Sequence, residues 1–268
     1  NRKRAFQNAR EGFDVMVERC DFEPRDCFGR GAAGYERGAR LQAAIANRLG
    51  GLSRQLAAEI PAGARADLGA GSGLLSRALE AELDGDPLLR VDQCPDLLAQ
   101  ERDMGSPVPQ LLWDLNNGLP RQLHGAALLA SSFTLQWLAQ PEQRLAEWCK
   151  HLAPGGWLVL AVPTAGSFRI WHQAAQAAGV PFSGLAMPNA EALEAVAGER
   201  LRLRRMDRLH FSRPNRGGLA LLRQIKAIGA QASPQRRLSA GELRQLLQHW
   251  PGPEQALNWE VLLLIGQR

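Results

Sequence analysis

Asp67-Leu68-Gly69-Ala70-Gly71-Ser72-Gly73 decides the fold class, because it lies between a short apolar run, Ala64 to Leu68, and a run of helical period, Leu74 to Leu83. Glycine enters the left-handed backbone region without steric penalty, so three glycines at alternate positions let the main chain turn sharply and approach a ligand. The helix that follows offers unpaired N–H groups and the positive end of its dipole. The stretch reads as strand, turn, helix, and Asp84-Gly85-Asp86-Pro87 stops the helix.

Downstream the unit repeats. Leu88 to Val91 begins a second strand closed by Asp92, and Pro95 to Glu101 gives a short helix. Gln110 to Trp113 is a third strand ending at Asp114, and Ala126 to Ser131 is a fourth. Pro141 to Leu152 is an amphipathic helix ending near Pro154-Gly155-Gly156, and Trp157 to Val162 is the fifth strand. Strands alternating with helices at this spacing predict an α/β, doubly wound parallel sheet. Upstream, Leu41, Ile45, Leu49, Leu52 and Leu56 recur at helical spacing, broken at Gly50-Gly51. After Pro163 come helical pieces around a Gly/Pro-rich middle, a strand at Leu201 to Phe211, helices at Gly217 to Ala230 and Ala240 to Trp250, and a last strand at Leu257 to Ile265. Residues 1–27 read as an N-terminal extension, 28–268 as a single domain, and 164–199 as a cap-like insertion.

The chain of 268 residues is long enough to bury a sizeable core. It carries no apolar stretch near the roughly 20 residues that span a bilayer, and Asn1 to Arg10 lacks a secretory apolar run. A cytoplasmic protein with no membrane partner is expected. Cys20, Cys27, Cys94 and Cys149 form no CxxC pair, and His124, His151, His172, His210 and His249 show no ligand spacing, so reduced thiols and no metal are expected. A net charge of +5 and a pI near 9.5 suit an acidic partner, whether nucleic acid, a phosphorylated cofactor or an acidic carrier protein, without choosing among them.

Asp92 closes the second strand 19 residues beyond Gly73, where a carboxylate can accept both hydroxyls of a ribose. Asp114 closes the third, where it can meet an adenine amino group while Leu115 packs on the ring. Either acid could instead cap a turn. Together with Asp67 they outline one crevice along the carboxyl edge of the sheet. A dinucleotide fingerprint spaces its glycines G-x-G-x-x-G, whereas Gly69, Gly71 and Gly73 are spaced G-x-G-x-G.

That pattern resembles class I S-adenosylmethionine-dependent methyltransferases. The resemblance implies a Rossmann-like sheet of seven strands with the last antiparallel, a helical N-terminal segment and a helical insertion after strand five. It also implies S-adenosylmethionine as cofactor, with Asp67, Gly69, Gly71 and Gly73 toward its methionine end, Asp92 at the ribose, Asp114 and Leu115 at the adenine, and Ser131 among the cofactor-binding residues. Phe28 to Glu36, Ser131 to Trp137, Leu152 to Gly156, Leu222 to Ala230 and Leu238-Ser239 resemble malonyl-[acyl-carrier protein] O-methyltransferases of biotin synthesis. This implies methyl transfer to the carboxylate of a malonyl thioester on acyl carrier protein, or on coenzyme A. Tyr35, Gln136, Trp137, Arg169 and Lys226 are then the expected substrate-positioning residues, with no general base, since a carboxylate of reference pKa near 4 is already ionised at neutral pH. Methylation of a free small carboxylic acid, RNA methylation and non-catalytic cofactor binding are the alternatives.

Overall fold

The computed structural model describes residues 23–102 and 108–268, so Cys20 and the reading of Asn1 to Arg10 lie outside the described residues. Seven strands form one sheet: β1 (Arg65–Leu68), β2 (Leu89–Asp92), β3 (Gln110–Leu112), β4 (Ala126–Ser132), β5 (Leu152–Pro163), β6 (Arg202–Arg213) and β7 (Leu257–Gln267). Their order is β3-β2-β1-β4-β5-β7-β6. β1 to β5 are mutually parallel, and β7 runs antiparallel between β5 and β6. The chain winds outward in both directions from β1 and β4, which makes the carboxyl ends of those strands the topological switch point.

Strands of period two send successive residues to opposite faces. Leu129, Leu158 and Leu264 enter one core with Trp148 and Leu145 of α6 (Pro141–His151) and Leu193 and Ala197 of α8 (Ala190–Arg200). Their neighbours Leu128, Val159 and Leu263 enter the other, against Ile45 and Leu49 of α3 (Arg40–Ser53) and Leu75 and Leu79 of α4 (Leu74–Glu80). The sheet is thus covered on both faces, as a central parallel sheet requires. A third, aromatic-rich cluster joins α7 (Arg169–Ala178), α9 (Gly218–Ala227) and α10 (Ala240–Gln248) through Phe168, Trp171, Leu221 and Leu246. The remaining helices are α1 (Pro24–Gly31), α2 (Tyr35–Gly38) and α5 (Pro95–Arg102).

Two local expectations are corrected, at Gly50-Gly51 and at Pro154-Gly155-Gly156. Gly50-Gly51 does not break α3, which runs on to Ser53. A Cβ on Gly50 would stand 2.4 Å from the carbonyl oxygen of Ala78, so the glycine serves the close crossing of α3 and α4. Pro154-Gly155-Gly156 does not separate helix from strand, because β5 already starts at Leu152. Ala126 pairs with Leu152 and Leu128 with Trp157, and the surplus residues form a bulge around left-handed Gly155. α1 crosses the expected boundary at residue 27, with Cys27 fully buried. The stretch 164–199 divides: α7 joins the aromatic cluster, whereas α8 covers the sheet beside α6.

β6 is one of the two edge strands, exposed at every second residue. Two of its exposed-face arginines form ion pairs, Arg204 with Glu59 and Arg208 with Glu191 and Glu194. Charged side chains of this kind protect an edge from pairing with other chains.

Candidate active site

At the carboxyl ends of β1 to β4 the glycine turn forms the floor of a crevice. Gly69, Gly71 and Gly73 have φ of +72°, +56° and +83°. At Gly69 space is decisive as well, because a Cβ would lie 2.1 Å from Oγ1 of Thr134, which donates a 3.1 Å hydrogen bond to the Gly69 carbonyl. Gly73 precedes α4 without a side-chain cap, so the first-turn N–H groups of that helix remain available to a ligand.

Asp67 lies buried beneath the turn and accepts a 2.7 Å hydrogen bond from Ser76 Oγ. Asp92 accepts from Gly71 N at its Oδ2 and from Cys94 N at its Oδ1, both at 2.8 Å. These bonds tie the glycine turn to the end of β2. Each carboxylate oxygen carries two lone pairs, so Asp92 retains capacity for ligand hydroxyls. Burial raises its pKa, opposed in part by the backbone donors of Cys94, Gly71 and Gln93. Asp114 Oδ1 caps the short turn at Leu115–Asn117 by accepting from Asn116 N (2.9 Å), and the residue lines the crevice with Leu115. Ser131 does not line it. Its hydroxyl donates to the Leu68 carbonyl at 2.7 Å, joining β4 to β1, and the neighbouring Ser132 reaches the crevice instead.

Beside the crevice lies a second cavity of about 490 Å³. Phe28, Tyr35, Gln42, Phe133 and Trp137 line both chambers. Phe28 meets Tyr35 and Trp137 edge-on, at centroid distances of 6.1 and 5.3 Å. Burial, together with the charges of Asp92 and Glu36, drives the Tyr35 phenol well above its usual range, so it keeps its proton. Phe133 takes φ of +56°, a conformation that bulky residues adopt only under constraint and that often marks a site. Gln136 lines the second cavity, and its Nε2 donates to the Phe133 carbonyl at 2.7 Å.

The second cavity is walled by aromatic and aliphatic side chains, among them Phe168, Trp171, Phe211 and Trp259. Among the described residues its lining holds no carboxylate and two cations, Arg40 and Arg213. The Arg213 guanidinium stands 4.8 Å from the Trp259 ring centroid, and burial followed by the charge of Arg216 lowers its pKa. Arg169 and Lys226, the cations expected from sequence, are both exposed and outside this lining. α9 turns Leu221, Leu222 and Ile225 inward, so Lys226, about 100° further round, faces solvent. Arg169 opens α7, its backbone N–H held by Asn258 Oδ1 at 2.9 Å. The signal for Arg213 was the period-two pattern of β6, which puts it on the same face as Phe211, two residues beyond the expected end of the strand. Gln42 and Arg40 were also missed, since only tertiary folding brings the start of α3 to the cavity.

The donors and shape of the crevice fit a nucleoside-containing cofactor: a run of left-handed glycines, an acid at the end of β2 and an apolar ledge of Leu97 and Leu115. The profile described as methyltransferase domain matches residues 66–160, the segment that holds the whole glycine turn, Asp92 and Asp114. The chain carries a methyltransferase domain. Its cofactor is S-adenosylmethionine. Over 228 residues the chain is 32% identical to the biotin biosynthesis bifunctional protein BioCD of Bordetella avium, covering 83% of this chain and 47% of that protein. Over 143 residues it is 35% identical to the malonyl-[acyl-carrier protein] O-methyltransferase of Alcanivorax borkumensis, covering 52% of this chain and 47% of that one. The matches thus span about half the length of these curated relatives. The fold is similar to that of the YcgJ protein of Bacillus subtilis, with a TM-score of 0.55 and 14% identity across 82% of this chain and 98% of that one. No helix among the described residues is long and apolar enough to cross a membrane.

Proposed function

We propose that this methyltransferase domain serves transfer of a methyl group from S-adenosylmethionine to the free carboxylate of a malonyl thioester on acyl carrier protein, giving a methyl ester for biotin synthesis. One observation carries the reading: an aromatic-walled chamber with the half-buried guanidinium of Arg213 and, among the described residues, no carboxylate in its lining opens beside the cofactor crevice across a shared wall. Such a chamber suits an acceptor with a single negative charge and a neutral remainder. The two relatives named for biotin synthesis and malonyl-carrier methylation support the same acceptor. The positive balance of the chain suits an acidic carrier.

In this reading the amides of the Gly69 to Gly73 turn and the dipole end of α4 meet the methionine end of the cofactor, with Asp67 beneath them. Asp92 accepts the ribose hydroxyls, and Asp114 and Leu115 hold the adenine. When bound, the cofactor supplies an electrophilic methyl group on a sulfonium. The acceptor carboxylate is ionised at neutral pH and needs no base. Arg213 draws it into the chamber, while Phe28, Tyr35, Phe133 and Trp137 exclude water where the two ligands meet. Opposite charges cancel as the methyl moves, so an apolar wall favours the step.

A free dicarboxylate is the second acceptor, favoured by the presence of Arg40 as a second cation in the lining. The test incubates the protein with labelled S-adenosylmethionine and, separately, malonyl carrier protein, malonyl-coenzyme A, free dicarboxylates and RNA. Label on the malonyl thioesters is the expected result; label on free dicarboxylate or RNA alone overturns the reading.

A further inference from the structure

Of the five side chains common to both chambers, four are aromatic and the fifth is Gln42, the third residue of α3. It is partly buried, and its amide forms no hydrogen bond with another described residue. The amide thus stands without a partner among the described residues, on the wall between the two chambers, where an occupant of either can bond it.

The chemistry of the step says what kind of group belongs there. A carboxylate oxygen donates a lone pair to the methyl carbon, the carbon–sulfur bond breaks with its electron pair passing to sulfur, and no proton moves. A full positive charge on the attacking oxygen would hold back that lone pair. A neutral N–H on the other oxygen fixes the direction of attack with much less withdrawal. Arg213 belongs to the second cavity alone, over Trp259, whereas Gln42 belongs to the shared wall. The two tasks, attracting the charge and aiming the oxygen, therefore fall to different residues.

We propose that Gln42 is a positioning residue, its amide N–H donating to one oxygen of the acceptor carboxylate so that the other faces the methyl group. This rests on the carboxylate acceptor proposed above. Gln42→Met keeps the length of the side chain and removes the donor; Gln42→Glu restores an O–H donor only when protonated. With malonyl carrier protein as acceptor, Gln42→Met is expected to lower kcat about 10- to 100-fold, the range that follows from a misaligned attack. The Kd for S-adenosylhomocysteine, measured by calorimetry, stays at the wild-type value and reports that the variant is folded. The kcat of Gln42→Glu rises as the pH falls through the pKa of the new acid, while that of Gln42→Met does not.

Wild-type kcat in Gln42→Met overturns the assignment, as does a weakened S-adenosylhomocysteine affinity with kcat unchanged at saturation, which gives Gln42 to the cofactor instead. Absence of wild-type turnover on any malonyl thioester removes the acceptor reading, and this assignment with it. Wild-type turnover with an unaffected variant removes the assignment alone.

Discussion

Gly31 and Gly229 touch so closely that a Cβ on Gly31 would stand 2.8 Å from the backbone nitrogen of Gly229. In return, a Cβ on Gly229, whose φ is +75°, would stand 2.6 Å from the Cys27 carbonyl oxygen and from Phe28 Cα. The N-terminal segment that carries Phe28 and Tyr35 is therefore seated on the end of α9. Glu36 adds an ion pair to Arg77 of α4 at 2.6 Å.

Gly229→Ala forces that seat apart, since neither backbone can yield as a flexible side chain would. An expected stability loss of about 1–3 kcal/mol combines left-handed strain with overpacking. Phe28 and Tyr35 wall both chambers, so the affinities for S-adenosylhomocysteine and for the acceptor should fall together. Urea unfolding and calorimetric titration check this; a variant with wild-type values in both would mean that the contact is slack.

Gly69→Ala puts a methyl group into Thr134 at a strained φ, and Thr134 is itself bonded to the Gly69 carbonyl. The turn has to move, and its amides move with it. The thermal stabilisation that S-adenosylhomocysteine gives the wild-type protein should disappear, while the unliganded variant still unfolds cooperatively.

Arg213→Met removes the half-buried charge of the acceptor cavity and leaves a similar volume. The acceptor KM should rise at least about 10-fold, consistent with loss of a charge-assisted hydrogen bond of roughly 1.5–3 kcal/mol. Arg169→Ala and Lys226→Ala, both at exposed positions, should leave KM near the wild-type value. Steady-state kinetics on the three variants separates the lining from the surface. Equal effects in all three would place the acceptor somewhere else.

The raised pKa of Asp92 gives cofactor binding an acid limb. As the pH falls through the folded value, the carboxylate gains a proton and gives up charge and an acceptor site. The Kd for S-adenosylhomocysteine should then rise above the pH range of an ordinary aspartate, and Asp92→Asn should bind weakly with a flat profile. Stability has the opposite sign: the folded state holds this proton more tightly than the unfolded chain. The contribution of Asp92 to stability therefore grows as the pH falls through the folded value and is complete below the unfolded value near 3.8. Titration of both proteins between pH 4 and 8, by calorimetry and by unfolding, separates the two effects.

The cofactor half of the site was legible in sequence because its parts are local. A glycine turn after β1 and acids at the ends of β2 and β3 are each read from a few neighbouring residues, and the parallel sheet then brings them to one edge. The second cavity, the proposed acceptor half, draws on α3, β6, β7 and α9, which are far apart in sequence and meet only through packing, so Gln42 and Arg213 gave no local sign of lining one cavity. Gly50-Gly51 misled for a related reason. A glycine pair marks a turn when nothing lies opposite it, but here α4 lies opposite and the helix continues. Arg169 and Lys226 were drawn from motif position, which carries no information about which way a helix faces.

The stacking of Arg213 on Trp259 has a bearing on what leaves the enzyme. On the carboxylate acceptor proposed above, the methyl ester formed is neutral, so the Arg213 guanidinium has nothing to hold once the reaction is over, and the aromatic face of Trp259 remains as its resting partner. In that proposal substrate and product differ by the charge that Arg213 meets, and turnover itself ends retention.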